Sequence, residues 1–78
     1  MLQITLDTVG TVAEVEQIAA QAAEAYPGLS YEVLEPHTDG NQWPTIVATS
    51  LDHGELLSFG SKVYGEPANE LTHLVTVQ

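Results

Sequence analysis

"DHGELLSFGSKVYGEP", residues 52–67, is the stretch on which the fold turns. Read as a helix over 53–64, it has Asp52 as N-cap and Glu55 three residues on in a capping-box pattern. Leu56, Phe59, Gly60 and Val63 then share one face, and Gly65 and Pro67 close the segment. A hairpin through "ELLSFGSKVYG" satisfies much of the same apolar pattern, because Gly54, Ser58, Gly60 and Ser61 are indifferent or poor helix formers. The caps at both ends favour the helix, and the rest of the chain organises around it.

Downstream, "LTHLVTV", 71–77, alternates and predicts the last strand, with His73 in line with Val75 and Val77 as a partly buried strand residue. Upstream, "TIVATSL", 45–51, is β-branched and apolar, as an inner or hairpin strand requires. "LSYEVLE", 29–35, sets Leu29, Tyr31 and Val33 against Ser30, Glu32 and Leu34, and "EPHTDGNQWPT", 35–45, is the loop between these two strands. At the start, "MLQITLD" places Leu2, Ile4 and Leu6 on one face and Gln3, Thr5 and Asp7 on the other. Thr11 and Glu14 then form a capping box. Val12, Val15, Ile18, Ala19, Ala22 and Tyr26 follow on one helical stripe until Pro27-Gly28, which predicts a helix over 12–26. Its outward face, Ala13, Gln17, Ala20, Gln21 and Glu24, carries little charge.

The resulting order, β-α-β-β-α-β, is the split βαβ or ferredoxin-like arrangement: an α+β class, with a four-stranded antiparallel sheet covered by two helices on one face. Residues 1–78 make one small acidic domain. The open face of the sheet is expected to draw on Gln3, Thr5, Glu32, Leu34, Val47, Thr49, Thr72, Leu74 and Thr76. RNA-binding domains of this topology stack bases on aromatic residues framed by basic ones, and neither is present in that set.

Charge is the outlying property. Eleven Asp and Glu stand against Lys62 and no Arg, a formal net charge of −10. Such a surface repels phosphates and anionic lipid, so no direct nucleic-acid partner and no membrane partner is expected. It attracts cations and basic protein surfaces, although acidic surfaces also serve solubility alone. The first ten residues have no basic segment or long apolar run, and no window approaches the roughly 20 apolar residues of a membrane span. The absence of Cys fits a reducing compartment, so a soluble, cytoplasmic protein is expected.

The topology is expected to gather Asp7, Glu14, Glu35, Asp39, Glu66 and Glu70 at one end of the domain, with Asp52, Glu55 and Glu24 nearer the other. Trp43, the only tryptophan, lies in the long loop beside Pro44; it suits an interface anchor or a cap on the small core. These six carboxylates and Trp43 form the expected partner-binding surface. The competing reading gives each carboxylate a local task, such as Glu14 in a cap or Asp39 in a turn.

Chemistry finds little support. Glu35, His37 and Asp39 with Asp7 offer oxygen and nitrogen donors, but the spacing is not that of a known metal loop, so neither a metal nor any other cofactor is expected. His53 falls in the first turn of a helix, where the dipole disfavours a cation. Ser58 and Ser61 flank Gly60 without a nucleophile-elbow pattern, and "GSK" lacks the upstream glycines of a phosphate loop. Gly60 is better explained by close helix-sheet packing, and no catalytic residue is assigned.

The sequence therefore points to a non-enzymatic protein that occupies the basic surface of a partner. That surface would be the nucleic-acid-binding face of an enzyme in the sharpest form, as for phage or mobile-element inhibitors of defence nucleases. A ligand- or metal-sensing domain and a structural homodimer are the alternatives.

Overall fold

The computed structural model describes residues 1–35 and 43–78. Its elements run β1 (Leu2–Asp7), α1 (Val12–Ala23), β2 (Ser30–Leu34), β3 (Thr45–Ser50), α2 (His53–Tyr64), a 3-10 helix (Ala68–Leu74) and β4 (Val75–Val77). The strands lie in the order β2-β3-β1-β4 with every neighbouring pair antiparallel, the arrangement of a ferredoxin-like sheet.

Alternation in β1 and β3 decides which face is covered. Ile4 lies opposite Ala48 and Leu6 opposite Ile46, and all four are fully buried with Leu56 and Phe59 of α2 and Val15 and Ala19 of α1. A one-residue slip would turn this whole set to solvent, so burial pins the register. The opposite face carries the rows Asp7–Thr45–Leu34, Thr5–Val47–Glu32 and Thr76–Gln3–Thr49–Ser30.

The decisive stretch is a helix. The Asp52 carboxylate accepts from the backbone N–H groups of Gly54 (2.9 Å) and Glu55 (3.3 Å), satisfying two donors the helix leaves open. Gly65 ends the helix in the left-handed conformation (φ 72°), and its N–H donates to the Ser61 carbonyl at 2.7 Å. Gly60 faces the sheet so closely that a Cβ there would lie 3.0 Å from Leu71 Cδ1 and 3.1 Å from Ile4 Cδ1. The helix sits low on β1 because this position has no side chain.

Three expectations need correction. Helix α1 ends at Ala23 rather than 26: Tyr26 N–H donates to the Ala23 carbonyl (2.9 Å) in a tight turn, because the residue before a proline is disfavoured in helical conformation. Ile18, assigned to the buried stripe, is 43% exposed and lies at the margin of the packed face.

The last strand is only Val75–Val77. Residues 68–74 form the 3-10 helix, whose three-residue turn brings Leu71 and Leu74 to one face, with Leu71 buried and Leu74 packed against the core. Leu71 and Leu74 stand three residues apart, the spacing of a 3-10 turn, and the strand expectation carried the alternation of Val75 and Val77 too far back along the chain. His73 is consequently an exposed residue of the 3-10 helix, and Thr72 and Leu74 are not part of the open sheet face.

Among the described residues, no helix is long and apolar enough to cross a membrane.

Candidate functional site

The antiparallel register sets the end of β1, the end of β2 and the start of β3 side by side. Asp7 lies opposite Thr45, and Thr45 opposite Leu34. Glu35 follows Leu34 directly. Thr8 joins the same edge to the segment before β3, since its N–H donates to the Pro44 carbonyl at 3.2 Å and its hydroxyl donates to the same oxygen. Pro44 is fully buried, whereas neighbouring Trp43 keeps 45% of its surface exposed.

Helix α2 arrives at this end with its C-terminus. The Tyr64 hydroxyl donates to the Asp7 carbonyl at 2.8 Å, bridging positions 57 residues apart. Its pKa is raised above the ordinary 10.0, first by burial and next by the negative charges of Asp7 and then Glu66. The Ser61 hydroxyl donates to the Glu66 carbonyl, which fixes the turn after the helix. Ser61 thus has a structural task.

Glu14 closes the start of α1 as expected. One of its carboxylate oxygens accepts from the Thr11 N–H (3.1 Å) and hydroxyl (3.0 Å), while Glu14 N–H donates back to the Thr11 hydroxyl (3.2 Å). The Thr11 N–H, and after it the hydroxyl, holds the Glu14 carboxyl below its usual range. For this residue the local-task reading holds.

Asp7, Glu35, Glu66 and Glu70 differ. All four are exposed, and among the described residues none of their carboxylates accepts a hydrogen bond or meets a cation. Lys62 instead holds its ammonium 5.2 Å above the centre of the Tyr26 ring. Glu70 lies in the first turn of the 3-10 helix, its N–H donating to the Pro67 carbonyl at 3.1 Å. Asp39 and His37 lie outside the described residues. Among those described, no group of three or more His, Asp or Glu is arranged to hold a metal ion.

Sequence reasoning missed the apolar part of this end. A cleft of about 210 Å³ opens between the loop after β1 and the two helices. Buried Val15 and Ile46, exposed Val9 and Ile18, and Val63 and Tyr64 of α2 line it, with Asp7 and Thr8 adding polar atoms. Val9 is 77% exposed, in a loop position with no periodicity, and Ile18 reads as core, so neither announced the cleft.

No family model matches the chain, and no curated protein or solved structure matches it either.

Proposed function

We propose that this protein is a non-enzymatic binding module whose acidic end occupies a basic surface on a partner protein. The observation that supports the reading is the state of Asp7, Glu35, Glu66 and Glu70: exposed carboxylates without partners among the described residues, on elements that meet at or hand over from one end of a domain of net charge −10. Uncompensated like charges raise the energy of the free protein, and a basic partner offsets that cost.

In the sharpest form the carboxylates stand in for phosphates and block a nucleic-acid-binding enzyme, as an inhibitor of a defence nuclease encoded by a phage or mobile element would. Such a protein would act in the cytoplasm.

Affinity capture on the tagged protein at about 0.1 M and about 1 M salt tests this, since the screening length falls from roughly 10 to 3 Å. The expected result is a nucleic-acid-binding enzyme retained at low salt, released at high salt, displaced by its nucleic acid, and lost by the triple variant Glu35→Lys, Glu66→Lys, Glu70→Lys. Capture unaffected by salt and by the triple variant would overturn the proposal.

A further inference from the structure

We propose that the cleft bounded by Val9, Ile18, Val63 and Tyr64 receives a single apolar side chain from a basic segment of the partner, anchoring what the carboxylates attract. The inference rests on the reading of the acidic end as a protein-binding surface and gives that surface its specificity.

Three observations converge on this occupant. First, the lining is mostly apolar, and Val9 and Ile18 remain exposed to water. Covering such residues is favourable by about 25 cal/mol per Å² of apolar surface. Second, the volume of about 210 Å³ lies below the roughly 300–1,000 Å³ of sites that enclose a whole small molecule. One side chain fits the space better than a free ligand does.

Third, the surroundings carry negative charge. Asp7 contributes to the lining, Glu66 follows Tyr64 by two residues, and the Glu14 carboxylate lies beside Gly10 at the loop that forms the mouth. The Tyr64 phenol is pushed up first by its burial here, and the charges of Asp7 and Glu66 add to that shift. A neutral apolar segment gains nothing from this rim, whereas one flanked by Lys or Arg gains from rim and lining together. Tyr64 is held in place by its bond to the Asp7 carbonyl, so that part of the lining is formed before any partner arrives.

The test uses the full chain, labelled with nitrogen-15, and two blocked peptides of equal charge, Lys-Lys-Leu-Lys-Lys and Lys-Lys-Ala-Lys-Lys, titrated at about 0.05 M salt. The expected result is shifts centred on Val9, Ile18, Val63 and Tyr64 with the leucine peptide. Its affinity should exceed that of the alanine peptide about tenfold and fall with added salt. The exposed double variant Val9→Ser, Ile18→Ser should erase the leucine preference and leave the weak, charge-driven component.

Equal affinity for the two peptides, with salt-sensitive binding of both, would overturn the cleft as an anchor while leaving the acidic end as a binding surface. Leucine-selective binding that ignores salt would overturn the charged rim's part. Binding of neither peptide would overturn the inference, and the capture experiment above would still judge the acidic end independently. Isoamylamine binding as tightly as the leucine peptide would also overturn it, by assigning the cleft to a free amine.

Discussion

The two ends of the domain put most of their carboxylates to different use. Where β3 hands over to α2, every nearby acidic group in the turn has structural work. Asp52 caps two N–H groups, and the Glu55 carboxylate accepts from the Ser50 hydroxyl at 2.8 Å. The same hydroxyl accepts from the Asp52 N–H at 3.1 Å, so a buried polar atom is satisfied on both sides. Where β1 and β2 end and α2 closes, Glu14 caps α1, but among the described residues Asp7, Glu35, Glu66 and Glu70 make no such bonds, and the structure is held by apolar packing and by the Tyr64 clamp. The bonded carboxylates sit at or just after a helix N-cap; the four exposed, unbonded ones are those we propose for recognition.

That contrast can be broken by measurement. The largest expected effect is at Leu71, the buried residue of the 3-10 helix. Leu71→Ala should cost about 2–5 kcal/mol in urea unfolding, because it empties the space against Gly60 and Ile4. A loss below about 1 kcal/mol would mean that apolar packing does not hold this end. Next comes the opposite end, where Asp52→Ala removes the cap of α2 and should cost about 1 kcal/mol. An unchanged unfolding midpoint would remove the structural half of the comparison.

Smaller again is Tyr64→Phe, which deletes the bond to the Asp7 carbonyl and should cost about 0.5–1.5 kcal/mol. Its pH behaviour has a definite sign. The phenol keeps its proton more tightly when folded, so its contribution is full below the ordinary 10.0 and is lost as pH rises through the raised folded value. Alkaline unfolding of the variant should therefore be less pH-dependent than that of the parent. Glu14 has the reverse sign. Its folded pKa is lowered, so the stability it supplies is present above 4.5 and is lost as pH falls through the folded value; Glu14→Gln should flatten acid unfolding in that window.

The smallest effect sharpens the contrast most. Glu35→Gln, Glu66→Gln and Glu70→Gln combined should change stability by less than about 0.5 kcal/mol per site, with any gain largest at low salt. A loss above about 2 kcal/mol would show that these carboxylates have structural partners after all.

Much of the fold was legible because local signals agreed with one another. The limits of α2 were readable from Asp52 and Gly65, and the alternation of β1 was carried intact into the core. Legibility failed where the alternation of a short strand was extended into the turn before it, as in residues 71–74, and where the residue before a proline overrode an apolar stripe, as at Tyr26. For the candidate site, the approach of Asp7, Glu35 and the segment after Trp43 was readable from strand order alone. The cleft was not, since it depends on how far Val9 and Ile18 stand from the helix packing, a distance that no spacing in the sequence encodes.

Trp43 also makes the protein its own optical probe. As the only indole in the chain, half exposed and joined through Pro44 to the backbone of Thr8, it reports from the acidic end alone. A partner that covers this edge should shift its emission to shorter wavelength, while an event at the Ser50–Glu55 end should leave the spectrum still. Unlabelled protein can thus show by colour which end has been engaged.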